Sequence, residues 1–266
     1  MSTQHRKVQV QGGQRGFTLI EILIALLIGV FLLGALLTIV QANRRVYGDQ
    51  SQLAQLQDDE RMAMTLMTDI IQMAGYFPAP QTNTVGSLAP ATPFAQGQSI
   101  FGTSSTTAPG DSISVRYETA GSDGVLNCSG LSNQNAVGGA NILYVNTFEV
   151  SNGQLVCILT SSAAPAPVQY NLVSGVTNNS TDAPLTNVGV QNLTILYGVN
   201  TSGAGNNVDT YKTASQMTTA DWSSVISVLI ELTFTNPLYT TGSTTQPQTI
   251  EIQRVVGVMN QLGPVN

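Results

Sequence analysis

From Ile22 to Val40, nineteen consecutive residues carry no charge, and Thr38 is the one polar side chain among them. As a helix this run rises about 28 Å, close to the hydrocarbon thickness of a bilayer. A segment with Arg6, Lys7 and Arg15 and no acid precedes it. The positive-inside tendency holds such a segment in the cytoplasm, although Arg44 and Arg45 beyond the other end reduce the bias. The first sixteen residues carry +3, so the −6 of the whole chain becomes −9 beyond them. An acidic remainder with scattered bases lacks the clustered basic face of a nucleic-acid binder.

Two ordinary explanations of the apolar run fall short. A secretory signal peptide could be cleaved near Val40-Gln41-Ala42, but its apolar region usually spans only about 7–15 residues and would not begin on Glu21. A plain signal anchor leaves Glu21 unexplained. An ionisable residue at the head of a membrane helix is expensive and is usually functional. Cutting the chain after Gly16 creates a partner for it, a new ammonium on Phe17, one helical turn away. A carboxylate in the first turn also meets the positive end of the helix dipole. The ammonium of a neighbouring subunit would serve equally, which would make Glu21 a register device for stacked helices.

Arg15-Gly16-Phe17-Thr18-Leu19-Ile20-Glu21, between a basic leader and an apolar run, resembles the processing signal of type IV pilins and type II secretion pseudopilins. The resemblance implies cleavage between Gly16 and Phe17 by a prepilin peptidase, N-methylation of Phe17, and docking into a filament through Glu21. A second likeness narrows the family. Asn43-Arg44, Tyr47, Arg61, Ala63, Asp69-Ile70 and Ala74-Gly75-Tyr76 resemble PilW-type minor pilins after the membrane segment. So do Val190, Leu193, Ile195, Tyr197-Gly198-Val199, Val208-Asp209 and Trp222-Ser223-Ser224-Val225 later on. Asp59-Glu60-Arg61 and Met259-Asn260 depart from that pattern, and no proline lies between Phe17 and Gly75, unlike many major pilins.

The family implies a minor pilin that helps initiate a type IV pilus near its tip. Its partners would be other pilins and minor pilins, the prepilin peptidase, the inner-membrane assembly machinery, a large tip adhesin, and membrane lipid before assembly. It would sit in the inner membrane as a single pass, N-terminus cytoplasmic and head periplasmic, and later in the pilus. The rival readings are a type II secretion pseudopilin of the GspJ kind, a membrane-anchored adhesive module, and an enzyme on an anchor.

The helix continues beyond the membrane. Val46, Leu53, Leu56, Ala63, Met67, Ile70 and Ala74 recur at three, four or seven residues, an apolar stripe suited to packing on a sheet. Gly75 and Pro78 supply the stop. Residues 81–110 and 161–184 read as long Ser/Thr/Pro-rich loops. Strand patterns begin at Ser112, with Ile113, Val115 and Tyr117 alternating against Ser112, Ser114 and Arg116. Asn141–Val150 and Gln154–Thr160 form a hairpin through Ser151-Asn152-Gly153. Val225–Thr235 alternates cleanly, and Ile250 and Ile252 begin a last strand. The expected fold is α+β: a long helix, about Thr18 to Ala74, with its amphipathic half packed on one antiparallel sheet. The expected divisions are a leader over 1–16, the helix over 17–75 with its transmembrane part about 22–40, and a β-rich head over 76–266.

Cys128 and Cys157 are too few for a zinc site of common spacing. In an exported head they form one disulfide, with two buried thiols as the alternative. Catalysis lacks material: His5, in the leader, is the only histidine, and Lys212 is the only lysine after the leader. Lys212 reads as a solvated loop residue, and Asp58 and Asp59 as a solvated helix face. The loop Asn200–Asp209 offers Asp209 as a thin calcium candidate, set against a plain turn. Trp222 reads as a core anchor. No cofactor is expected.

Overall fold

The computed structural model describes residues 16–79, 88–173, 189–202, 207–239 and 244–259. The leader expected over 1–16 lies outside the described residues except for Gly16. The first helix, α1, runs Leu19–Gln72. The chain divides into two compact units, residues 1–50 and 51–266.

In the first unit the apolar run of α1 is uncovered. Ile22, Leu26, Val30, Leu33 and Leu37 are all exposed. Thr38 turns its hydroxyl back onto the Ala35 carbonyl at 2.7 Å, so the run presents almost no free polar group.

In the second unit the end of α1 buries Leu56, Ala63, Met64, Met67, Ile70 and Ile71. The buried stripe is wider than the sequence pattern suggested, because a helix lying on a sheet buries an arc of about 100° or more and so takes in Met64 and Ile71. Val46, counted in that stripe, belongs to the first unit and is exposed. The chain leaves the helix at Gly75, whose φ of 76° disfavours any residue with a side chain. Its N–H donates to the Arg116 carbonyl at 3.0 Å, which starts the connecting segment along a strand.

Among the described residues nine strands follow: β1 Ile100–Thr103, β2 Ser112–Thr119, β3 Ile142–Ser151, β4 Gln154–Ser161, β5 Val168–Val173, β6 Val190–Val199, β7 Thr210–Lys212, β8 Val225–Thr235 and β9 Thr249–Gly257. A one-turn helix, α2 Thr219–Trp222, precedes β8. The head holds two antiparallel sheets where one was expected, ordered β1-β2-β3-β4-β5 and β7-β6-β8-β9. Two of the strands correct the reading of 81–110 and 161–184 as loops. β1 is only four residues long and includes a glycine, too short to show alternation. β5 alternates Val168, Tyr170 and Leu172 with Gln169 and Asn171, but Ser, Ala and Pro before it mask the pattern.

The β3–β4 hairpin closes through Asn152 and Gly153, both at positive φ (52° and 74°), as a two-residue turn between twisted strands demands. Both sheets contribute to one core with α1, including Ile113, Val115, Phe148, Leu155, Leu193, Ile195, Val228 and Leu232. Between them Trp222 stands 4.8 Å from the Tyr197 ring and 5.2 Å from Phe101. Gly102 is required there, since a Cβ would collide with the Tyr197 hydroxyl.

Arg116 corrects the simple in-out reading of β2. It is wholly buried. Its guanidinium donates to the carbonyls of Gln98, Ala89 and Ala95 and stacks 4.7 Å from the centre of the Phe94 ring. A side chain that alternates with the buried Ile113, Val115 and Tyr117 is thus buried too, and pins segment 88–98 over the sheet.

Candidate processing and assembly site

The N-terminal segment gathers the residues singled out by their chemistry. Gly16 is exposed, and a Cβ built there would meet nothing within 4 Å. Among the described residues, the space around it therefore does not demand glycine. Phe17 is 80% exposed. Thr18 stands just before α1, and its carbonyl accepts from the Glu21 and Ile22 N–H groups at 3.1 and 3.3 Å. Its hydroxyl lies 3.4 Å from the Glu21 N–H, a long bond.

Thr18 and Glu21 thus occupy the Ncap and N3 positions of the helix, the Thr-x-x-Glu spacing of a capping box. That spacing is visible in the sequence as Thr18-Leu19-Ile20-Glu21. It gives Glu21 a local task, since an acid in the first turn opposes the positive end of the helix dipole. Among the described residues no side chain bonds the Glu21 carboxylate, which faces outward from an exposed turn. A carboxylate, the Phe17 backbone that cleavage would turn into an ammonium, and an uncovered apolar helix therefore stand together. This arrangement suits binding between helices.

The two cysteines are joined. Cys128 and Cys157 are bonded, with Cα atoms 6.4 Å apart. Cys157 is on β4 and Cys128 on the loop between β2 and β3, where its N–H donates to Asn146 Oδ1 at 2.9 Å. Tyr117 ties the same loop down by donating to the Leu126 carbonyl at 2.6 Å.

Lys212 is not on a solvated loop. It ends β7, half buried, with its ammonium 2.9 Å from Asp221. That bond, and then the Thr218 N–H, hold the Asp221 carboxyl below the usual carboxylate range. Asp58 keeps to an exposed face beside Arg61 at 3.5 Å, whereas Asp59 is half buried. Burial, then the neighbouring Asp58 charge, pushes the Asp59 carboxyl up. Asp209 accepts from the Thr201 N–H and hydroxyl and from the Ser202 N–H. These donors, the Thr201 N–H first, lower its carboxyl. Residues 203–206 of the loop Asn200–Asp209 lie outside the described residues. Among the described residues no three His, Cys, Asp or Glu side chains come together as a metal site. Trp222 is a core anchor, in contact with both sheets.

Two families match this chain. Residues 12–37 match the prokaryotic N-terminal methylation motif. Residues 144–260 match the type IV pilus-assembly protein W family. The second match spans β3 to β9, while the first covers the junction and most of the apolar run. Among solved structures, a type IV-like pilin from Thermus thermophilus aligns with 79% of this chain and 97% of its own, at 14% identity and a TM-score of 0.46. No curated protein matches.

Proposed function

We propose that this chain, a type IV pilin-like protein on its two family matches, is a minor pilin of the PilW type that primes pilus assembly near the tip. The observation that carries the reading is the junction itself. A glycine with no structural need to be one precedes an exposed phenylalanine, a capped helix start, an outward carboxylate and an uncovered apolar helix. The methylation-motif match supports the same junction, and the head matches the pilus-assembly family. The family is one of structural proteins.

The mechanism is assembly. The basic leader would keep the junction on the cytoplasmic side, where a prepilin peptidase cuts after Gly16 and Phe17 is N-methylated. The apolar run of α1 would hold the subunit in the inner membrane with its head in the periplasm. The helix then exchanges lipid for the apolar helices of a filament. This exchange is close to neutral for the apolar side chains, because lipid tails are as apolar as leucine. The charges decide it. A terminal ammonium entering that bundle requires a carboxylate, and Glu21, its own or a neighbour's, supplies one.

Replacing Glu21 tests this. Glu21→Gln should be cleaved as wild type, since the peptidase reads Gly16. Its abundance in sheared pili should fall by about two orders of magnitude or more, as expected for an uncompensated buried charge of roughly 3–5 kcal/mol. Wild-type abundance would show that Glu21 serves only its own helix start. A block to cleavage would make it a recognition residue for the peptidase.

A further inference from the structure

Each sheet ends in two outer strands. β1 and β7 have four and three residues, and the six residues of β5 follow Pro165 and Pro167. β9 is longer, with nine residues in unbroken register on β8, from Ser227 opposite Gly257 to Thr235 opposite Thr249. Just beyond its ends, Val258 donates to the Ile226 carbonyl at 2.8 Å, and Asn236 donates to the Gln248 carbonyl at 3.0 Å. Residues of an antiparallel ladder alternate between facing the partner strand and facing away from it. The even-numbered residues from 248 to 258 therefore face β8. Thr249, Glu251, Gln253, Val255 and Gly257 point their N–H and C=O groups outward. Among the described residues no further strand pairs there.

Proteins usually blunt such an edge with lysine, proline, a bulge or a charge turned inward. β9 has no lysine, proline or bulge. Arg254 lies on the other parity, toward α1, with a guanidinium nitrogen 3.4 Å from the Thr68 hydroxyl. A row of about 27 Å of backbone, without a partner strand among the described residues, is thus guarded only by the charges of Glu251 and Arg254.

We propose that the outer edge of β9 accepts an extended strand from a neighbouring pilus subunit, continuing the four-stranded sheet across the subunit boundary. This rests on the filament reading above. The complement of alternating amide donors and carbonyl acceptors is another strand. The side chains beside the edge define it further. Gln253 donates to Glu231, and Glu251 carries a second exposed carboxylate beside them. Val255 is 57% exposed. A partner strand with lysine or arginine across from Glu251 and an apolar residue across from Val255 satisfies both. A second copy of this chain fits less well. When two β9 edges pair antiparallel, the odd-numbered residues face one another, and none of them is basic.

The test uses the full chain in piliated cells. Gln253→Pro removes an N–H that points away from β8, so it breaks no bond of the chain's own ladder. Its recovery in sheared pili should fall about tenfold or more, equivalent to at least 1.4 kcal/mol of lost pairing. Gln253→Ala, which keeps the N–H, should be recovered at the wild-type level. Wild-type recovery of the proline variant overturns the proposal. Hydrogen exchange on the wild-type protein guards against misfolding of the variant. The Glu251, Gln253 and Val255 amides should exchange rapidly in detergent-solubilised subunits and become protected in pili. Unchanged exchange also overturns the proposal. If differently tagged copies in detergent associate through a contact that Gln253→Pro abolishes, the occupant is a second copy and the assigned partner is wrong. Absence of the wild-type chain from pili would instead defeat the filament reading beneath it.

Discussion

Asp111 Oδ2 accepts the Ile195 N–H at 2.8 Å, so a carboxylate just before β2 is bonded to the backbone of β6 in the other sheet. Its Oδ1 takes the Ser105 N–H at 2.9 Å, and its own N–H donates to the Leu193 carbonyl at 2.7 Å. One short side chain closes the junction of the two sheets, above a core that both share. The burial of Tyr197 next to it, and then the Asp111 charge, raise the tyrosine hydroxyl well above its ordinary range.

Asp111→Ala leaves the buried Ile195 N–H and the less buried Ser105 N–H without their acceptor and should destabilise the head by about 3 kcal/mol. In a domain of this size that lowers Tm by roughly 6–12 °C. Asp111→Asn keeps an acceptor and should lose less. Thermal unfolding of the detergent-solubilised protein measures both, and equal losses would show that the second acceptor oxygen is essential.

Arg116 makes a parallel case from a cation. Burial lowers its pKa, and its bonded partners are carbonyl oxygens. Arg116→Met should keep part of the packing on Phe94 and strand the carbonyls, at a cost of about 2–3 kcal/mol. Limited proteolysis should then cut within segment 88–98 before it cuts β2. Simultaneous cleavage would contradict the pinning role.

Two carboxylates should give stability opposite dependences on pH. Asp59 is raised in the folded chain, chiefly by burial, so its ionisation opposes folding at neutral pH. Lowering the pH toward its raised value should relieve that, and Asp59→Asn should stabilise the head at pH 7. Asp221 is lowered, first by Lys212 and then by the Thr218 N–H. Its contribution is present above the unfolded value of about 4 and is lost as pH falls through the folded value. Asp221→Asn should destabilise the protein at pH 7 and flatten the acid limb below pH 4. Denaturant midpoints from pH 3 to 8 read both signs, and a destabilising Asp59→Asn would refute the first.

Cys157 is fully buried and Cys128 nearly so, which shields the bond between them. An alkylating reagent under denaturing, non-reducing conditions should label neither. Cys157→Ser should lower stability by about 3–4 kcal/mol, the chain-entropy value for a closed loop of this length. Labelling of both cysteines in the exported protein would contradict the pairing.

The parts of this fold legible in the sequence are those fixed by local patterns. Val225–Thr235 alternates cleanly and became β8 with those bounds. The Asn152-Gly153 turn was readable because both of its positions require positive φ. What depends on distant partners was not readable. The burial of Arg116 is one such case, because its carbonyl partners come from a segment with no pattern of its own. Lys212 looked like a loop residue because the acid it meets, Asp221, is fixed by the cap of α2. The division into two sheets depends on contacts such as Asp111 with Ile195, 84 residues apart. At the N-terminus the candidate residues Gly16, Phe17 and Glu21 lie within one short stretch of sequence at the start of α1, so their grouping is visible there.

The central claim is that a leader is removed and the remaining chain enters a filament. Mass spectrometry of pili sheared from wild-type cells tests it most directly. The expected result is a peptide beginning at N-methyl-Phe17, together with peptides from the head in the same fraction. A chain that still begins at Met1 in membranes of cells with an active peptidase, and that is missing from the sheared pili, would contradict it.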